Sequence, residues 1–322
     1  MRSSHVLAIT LLSFGAGAAG CAAGSTDTVA TTTTGSTSSH GGSGGAGGTA
    51  AGGGGSGATG GQAPNGCTAG ADHVLISEVA VAPAGGEFIE IWNRGASAVA
   101  LDHYYLSDNA IYHRIAAGQP FSPTLAYDPQ TDFLAQFPAG ATIAPGELLV
   151  IQAASGDFSA TYGACPSYAL AAAGVACGAT TVPPMLAPAN GQIGTGAGTM
   201  LSNDREMVVL FCWDGTSSTV RDVDYVTWGT EFDAETRIDK SAVPGYQPDT
   251  APTSQLPALA PAATQSISRC TANEPDEKTS GGNGISGHDE TSENFGSAFE
   301  VLCTPTPGEN SCAGGGGCGG GG

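Results

Sequence analysis

Two glutamates three positions apart are the first residues in this sequence that could perform chemistry. Glu87 and Glu90 lie in the segment "EFIEIWN", inside an otherwise apolar run. Two carboxyl groups that converge on one bond, roughly 5–9.5 Å apart, are the arrangement of glycoside hydrolases. The segment reads as a β-strand, however, and a strand turns Glu87 and Glu90 to opposite faces. We therefore predict no catalytic residue here, and expect a partly buried Glu90 that accepts hydrogen bonds from backbone amides or from Arg94.

A second set of carboxylates lies in a glycine-rich stretch, "NEPDEKTSGGNGISGHDETSEN", at residues 273–294. Calcium takes about six to eight oxygen ligands from flexible groups of this kind. The calcium candidates are Asp276, Glu277, Asp289 and Glu290. The stretch lacks the residue order of an EF-hand, and acidic loops are usually solvated. The sequence therefore predicts no metal and no other cofactor, with calcium left open as the alternative.

The first twenty residues have the features of an export signal. Arg2 precedes a short apolar core at residues 6–14, which is too short to span a bilayer core about 30 Å thick. Small residues then lead into Cys21, and "AAGC" resembles a bacterial lipobox. We expect residues 1–20 to be removed and Cys21 to carry a lipid, with ordinary secretion as the alternative. Because Ala22 follows, the resemblance favours the outer membrane or the cell surface.

The segment at residues 21–66 is dominated by Gly, Ser, Thr and Ala. With almost no large apolar side chain, it has nothing to offset the entropy cost of ordering. We predict a disordered, low-complexity tether. The Gly/Cys-rich tail at residues 311–322 is predicted to be disordered as well.

The charge of the chain argues against nucleic acid as a partner. The sequence has 29 acidic and 9 basic residues, for a net charge of -20. Binding to phosphates needs clustered lysine and arginine side chains that displace counterions. The membrane, reached through the lipid, and an unknown protein or polysaccharide remain as expected partners.

The nine cysteines indicate disulfide bonds in an oxidising compartment. Once Cys21 is assigned to the lipid, an even set remains, which favours disulfides over free thiols. Zinc is the competing interpretation, but the paired C-x2-C and H-x3-H spacings typical of zinc sites are absent from the sequence. The pairings we favour are local, Cys165 with Cys177 and Cys270 with Cys303.

The folded part is predicted at residues 67–310, where short β-rich runs alternate with Gly, Pro, Asn and Asp. About seven such runs indicate an all-β, immunoglobulin-like sandwich. We expect long loop insertions near residues 153–199 and 240–264. The predicted strands are "HVLISEVAVAP", "EFIEIWN", "AVALDHYYLSD", "PGELLVIQA", "REMVVLFCWDG", "VRDVDYVTWG" and "QSISRC".

The order of these runs resembles the lamin-tail domain. The pieces that carry the resemblance are "ISEVAVAP", "GGEFIEIWNRGASAVALDHYYLSD", "IAPGELLVI", "LSNDREMVVLFCWDG", "VDYVTWG", "SISR" and "TPTPGENS". The resemblance implies a compact immunoglobulin-like β-sandwich that binds or interacts and has no catalytic machinery of its own. From the residues themselves, we expect structural roles in turns for Asn93 and Asp108, beside that of Glu90.

We therefore expect a non-catalytic, lipid-anchored protein that displays a lamin-tail-like sandwich for adhesion or envelope interaction. The first alternative is a secreted hydrolase of the phosphoesterase or nuclease type, suggested by the enzymes that accompany such domains elsewhere. A convergent cluster of histidine and carboxylates in a pocket would favour it, and a smooth closed sandwich would disfavour it. The second alternative is a purely structural spacer.

Overall fold

The computed structural model describes residue 67 and residues 73–82, 86–119, 131–170, 175–194, 199–229, 236–302 and 304–310. Several sequence predictions lie outside these residues. They are the signal at residues 1–20 with lipidated Cys21, the tether at residues 21–66, the tail at residues 311–322, and Cys303 as a disulfide partner.

Most of the regular structure in these residues is β-strand, in runs rich in Val, Ile, Leu and aromatic residues that suit a half-buried pleated surface. The strands are β1 (Val74–Ala80), β2 (Phe88–Asn93), β3 (Val99–Ala100), β4 (Tyr104–Ser107), β5 (Leu134–Gln136), β6 (Thr142–Ile143), β7 (Leu148–Gln152), β8 (Tyr168–Ala169), β9 (Val175–Cys177), β10 (Thr180–Val182), β11 (Glu206–Cys212), β12 (Arg221–Trp228), β13 (Ser266–Arg269) and β14 (Phe299–Leu302). The α-helices are α1 (Phe158–Tyr162) and α2 (Phe295–Ala298), and 3₁₀ turns span Tyr112–Ala117, Pro252–Ser254 and Glu290–Ser292.

Two main sheets form the immunoglobulin-like β-sandwich. The larger has the strand order β14-β13-β1-β2-β7-β8, and the smaller has the order β12-β11-β4-β5. All neighbouring strands in these sheets are antiparallel except β7 and β8, which are parallel. The pairs β9–β10 and β3–β6 form two small ribbons. The all-β sandwich predicted from the sequence is confirmed.

The main core lies between the two large sheets. It includes Ile89 and Ile91 from β2, and its largest fully buried side chains include Trp228, Tyr104 and Tyr225. The opposite face of β2 carries Phe88, which packs in a separate apolar cluster with Phe158 of α1. The side chains of β2 therefore alternate between two apolar clusters, as the strand geometry predicts.

The third predicted strand is in fact two. The chain turns after β3, where the amide of Tyr104 donates to the carbonyl of Leu101 at 2.9 Å. This turn carries the chain out of the ribbon with β6 and into the smaller of the two main sheets, beside β11. The break lets the two halves of "AVALDHYYLSD" pair in different sheets.

The insertion near residues 153–199 contains regular structure of its own. It begins with α1, whose N-terminus is capped by Asp157 through a 2.9 Å hydrogen bond from the Ala160 amide. Strands β8, β9 and β10 follow. The second insertion, near residues 240–264, has one 3₁₀ turn and makes a parallel bridge between Ala258 and Trp228.

Two disulfides have both partners among the described residues, one local and one long-range. Cys165 and Cys177 form the local pair predicted from the sequence. Cys67 pairs with Cys212 of β11, across a sequence separation of 145 residues, which the preference for local bridges did not predict. Cys270 is also disulfide-bonded. Within the described residues, every helix is too short or too polar to span a membrane.

Candidate functional site

The carboxyl groups of Glu87 and Glu90 act on opposite sides of β2. The Oε2 atom of Glu87 accepts from the amides of Met200 and Leu201, at 2.6 and 3.1 Å. Glu90 accepts from the Ser77 hydroxyl at 2.7 Å and from the Gly308 amide at 2.6 Å. The two carboxyl groups thus have separate partners and tie separate segments to the sheet.

The expected role of Arg94 as a partner of Glu90 is wrong. The Arg94 guanidinium lies 3.6 Å from Glu274 instead. Arg94 directly follows the last residue of β2, so its side chain extends towards the acidic loop at residues 273–294. The expected backbone partner is present, in the amide of Gly308.

Asn93 and Asp108 take the structural roles expected of them. The Oδ1 atom of Asn93 accepts from the Gly95 amide at 2.9 Å, and its Nδ2 atom donates to the carbonyls of Ser97 and Ile143. Asp108 accepts from the amide of Phe133 at 2.8 Å. Both are buried; Asn93 holds a turn, whereas Asp108 joins two segments 25 residues apart.

The acidic loop brings two of the four calcium candidates together. An antiparallel bridge joins Lys278 to Asp289, so Glu277 and Glu290 stand opposite each other in the next register position. Side chains alternate along such a pair. The carboxylate of Asp289 therefore turns the other way, where the Lys278 ammonium lies at 3.2 Å. Asp276 is exposed and lies apart from Glu277 and Glu290. Its Oδ2 atom accepts a hydrogen bond from the side-chain Nδ2 of Asn294 at 3.4 Å.

Glu277 and Glu290 lie close to His288, Asp224 and Glu274. We call these five residues the carboxylate cluster. His288 lies two residues before Glu290 and so shares its face. Its Nδ1 atom is 3.2 Å from Oε2 of Glu277. One possible ligand atom from each of Glu277, His288 and Glu290 lies within 4.8 Å of the others, and the same is true of Asp224, Glu274 and Glu290.

Asp224 of β12 forms the inner wall of the carboxylate cluster and is already satisfied. The guanidinium of Arg269 donates to both of its oxygens, at 2.8 and 2.9 Å. The amide of Ile76 donates to it at 2.5 Å. The same guanidinium also bonds Glu293, at 2.6 Å. Arg269 thus neutralises the Asp224 and Glu293 side of the cluster, and Glu290 lies beyond its direct contacts.

Glu290 is the buried member at the centre of the carboxylate cluster. Its residue is 6% exposed. Burial raises its pKa well above the usual range, and neighbouring carboxylates raise the pKa further, namely Glu277, Glu274, Asp224 and Asp222. Burial also raises the pKa of Glu274 to about 9. The geometry therefore gathers several carboxyl groups around one buried point, where the raised pKa values favour their protonated forms.

The loop that carries the carboxylate cluster is fixed at its tip. The Asn283 side chain donates to Asp249 at 2.7 Å and to the carbonyl of Gln247 at 2.9 Å. At Gly284, a Cβ atom would lie 2.5 Å from Oε1 of Glu290, so this position requires glycine for the carboxylate to reach the cluster. These contacts hold Glu290 in place from the loop side.

A second buried charged group lies along β12. The ammonium of Lys240 contacts Asp222 at 2.8 Å, Asp249 at 3.3 Å and the Tyr112 hydroxyl at 2.8 Å. The Lys240 side chain is fully buried. Because donors and acceptors are matched here, this group serves the fold.

Sequence reasoning missed three members of the carboxylate cluster: His288, Asp224 and Glu274. A period-two reading of "GHDE" would have paired His288 with Glu290 and separated Asp289 from both. No sequence pattern indicates that Asp224 of β12 joins the cluster, because its place there depends on how the acidic loop folds back over the sheet.

The fold agrees with the family that the sequence matches. The profile of the Lamin Tail Domain family matches residues 68–230, half of the chain. No curated protein matches the sequence. A solved structure, a DUF4876 family protein from Bacteroides thetaiotaomicron VPI-5482, is similar with 12% identity and a TM-score of 0.37, covering 71% of this chain and 70% of its own. On the family match and the sandwich architecture, the chain belongs to the Lamin Tail Domain family.

Proposed function

We propose that this chain is a non-catalytic, lipid-anchored surface protein that displays its lamin-tail sandwich for adhesion or envelope interaction. In this proposal Cys21 carries the lipid, residues 21–66 are the tether, and the partner is a protein or polysaccharide. The disulfides are compatible with an extracellular or surface location, since such bonds persist in oxidising compartments.

The observation that carries the proposal is the disulfide between Cys67 and Cys212. Cys67 immediately follows the tether segment. Cys212 lies on β11, which has a hydrogen-bonded strand on each side, β12 and β4. A pull on the tether would therefore reach an interior strand through a covalent bond. This attachment suits a domain held by its N-terminus away from a membrane.

Mass spectrometry of the mature N-terminus tests the proposed anchor. We expect the chain purified from membranes to begin at Cys21 and to carry the mass of an attached lipid. A Cys21→Ser variant should lose the lipid. A mature chain that begins elsewhere, or an unmodified Cys21, would contradict the anchored form of the proposal.

A secreted hydrolase is the second candidate, and the carboxylate cluster is the observation that favours it. The sequence criterion for this candidate was a convergent group of histidine and carboxylates in a pocket. The cluster converges, but its carboxylates are buried: the Glu277 side chain is 4% exposed and Glu290 is 6% exposed, whereas His288 is partly exposed. A catalytic metal needs an open position for water or substrate, which this burial restricts.

An activity assay separates the two candidates. The exported protein is incubated with a chromogenic phosphodiester and with nucleic acid, each with and without added divalent metal ions. The non-catalytic proposal predicts no turnover above the level of a Glu290→Gln variant. Turnover that this substitution removes would establish the hydrolase.

A further inference from the structure

We propose that Glu277, His288 and Glu290 bind one divalent transition-metal ion, with Zn²⁺ as the ion whose requirements they meet. The site goes beyond the display function and does not rest on it. Of the three residues, His288 was no part of the calcium hypothesis. All three lie outside residues 68–230, the part of the chain that matches the family.

The first argument is geometric. One possible ligand atom from each of the three side chains lies within 4.8 Å of the others. Zinc sites have ligand distances of about 2.0–2.2 Å to imidazole nitrogen and carboxylate oxygen. Two ligands at that distance from one ion are at most about 4.4 Å apart, so only small side-chain movements are needed to reach it.

The second argument is an unsatisfied buried oxygen. Oε1 of Glu277 is buried and finds no hydrogen-bond partner among the described residues. The Glu277 side chain is 4% exposed, so water reaches it poorly. A buried carboxylate oxygen without a donor is costly, and a bound cation would remove that cost directly.

The third argument is the balance of charge around Glu290. Possible ligand atoms of Glu277, Asp224 and Glu274 lie within 4.8 Å of the carboxyl oxygens of Glu290, so carboxyl groups crowd it. Arg269 is committed to Asp224 and Glu293. Lys278, the nearest lysine in sequence, turns to Asp289 on the other face of the bridge. A metal ion would hold these crowded carboxyl groups together in their charged forms.

The choice of site within the carboxylate cluster follows from these contacts. The alternative triple of Asp224, Glu274 and Glu290 includes a carboxylate that already accepts from Arg269 and two backbone amides. Its oxygens are not available without breaking that network. The triple with His288 has an unsatisfied oxygen and an imidazole at the solvent side, which provides a path of entry.

The donor set favours zinc over calcium. Calcium takes about six to eight oxygen ligands, whereas this site offers two carboxylates and an imidazole. Imidazole is a ligand of zinc and related transition metals, and zinc is satisfied by four ligands. Glu274 or a water molecule would be the fourth. The ion would join residue 277 to residues 288–290 and so close the loop over β12.

Metal titration of the full exported chain tests this proposal. The protein is stripped with a chelator and titrated by calorimetry with Zn²⁺, Ca²⁺ and Mg²⁺. We expect one Zn²⁺ per chain at this site, a rise in Tm on binding, and no displacement by excess Ca²⁺. The substitutions Glu290→Gln and His288→Gln should each weaken this binding by on the order of 100-fold, because even outer-shell changes cost about 10- to 100-fold.

The matched control is Glu300→Gln, which removes an exposed carboxylate on β14. It retains every cysteine and histidine of the chain, so adventitious zinc binding is unchanged. We also expect its Zn²⁺ affinity at the proposed site to equal that of wild type. The proposal is overturned if wild type binds no Zn²⁺. It is also overturned if Glu290→Gln and His288→Gln both bind Zn²⁺ as tightly as Glu300→Gln does. Calcium binding that survives His288→Gln would also overturn it, in favour of an oxygen-only site.

A spectroscopic measurement keeps the test valid if a cluster variant fails to fold. Co²⁺ replaces Zn²⁺ in the wild-type chain, and its visible absorption reports the ligands. We expect the bands of nitrogen and oxygen ligation. A thiolate charge-transfer band would show that cysteines hold the ion, and would contradict the proposed site.

Discussion

Glu78 and Glu90 are register partners across β1 and β2, and both carboxyl groups accept hydrogen bonds from the C-terminal segment. Glu78 accepts from the amide and the hydroxyl of Thr306, each at 3.0 Å, and Glu90 accepts from the amide of Gly308 at 2.6 Å. Two buried acidic groups thus fasten the end of the domain to its central strands.

The pH dependence of the unfolding free energy should show the raised pKa of Glu90. Burial raises its pKa from 4.5 to about 7, so the folded chain binds more protons than the unfolded chain between these values. Its contribution to the free energy of unfolding is complete below about pH 4.5 and is lost as the pH rises through about 7. With roughly 1.4 kcal/mol for each pKa unit, the loss is roughly 3 kcal/mol.

Chemical denaturation from pH 4 to 8 measures this effect. A Glu90→Gln variant should show a smaller loss of stability than wild type over this range, because its amide stays neutral. The Ser77 hydroxyl can accept from that amide, and the Gly308 donor keeps an oxygen. Glu300→Gln serves as the control. Parallel pH profiles for wild type and Glu90→Gln would contradict the raised pKa.

The two disulfides should differ in their contribution to stability. Cys67 and Cys212 are 145 residues apart, whereas Cys165 and Cys177 are 12 apart. The chain-entropy relation gives roughly 5 kcal/mol for the long loop and roughly 3 kcal/mol for the short one. Replacing the long-range pair with alanine should therefore lower the unfolding free energy more than replacing the local pair. Equal losses, measured by denaturation under oxidising conditions, would contradict this ranking.

The only two lysines of the chain should behave in opposite ways. Lys240 is fully buried between Asp222 and Asp249, so Lys240→Met leaves uncompensated buried carboxylates and should cost roughly 3–5 kcal/mol. The Lys278 side chain is 60% exposed, and Lys278→Met should cost less than about 1 kcal/mol. Thermal unfolding of both variants provides the comparison. Similar losses would show that the Lys240 network does not hold the fold as described.

The sequence predicted the parts of this structure that depend on local alternation. The apolar pattern of "EFIEIWN" placed Glu87 and Glu90 on opposite faces of a strand, and the hydrogen bonds of each confirm it. The same rule, applied to "GHDE", would have separated Asp289 from Glu290. We grouped these two residues as calcium candidates because glycine-rich loops give no expectation of strand-like pairing.

Long-range relationships could not be predicted in this way. The pairing of Cys67 with Cys212 depends on the packing of the domain start against β11. The burial of Lys240 depends on the second insertion folding back over β12. Asp224 looked like one of several acids in a β-strand, and its place in the carboxylate cluster is set by Arg269 of β13, 45 residues away.

Protease treatment of intact cells tests the central claim, surface display on a tether, most directly. A protease that cleaves within residues 21–66 should release the disulfide-bonded domain, while a periplasmic marker stays intact. A Cys21→Ser variant should leave no domain on the cells to be released. A domain that stays protected until the outer membrane is opened would contradict surface display.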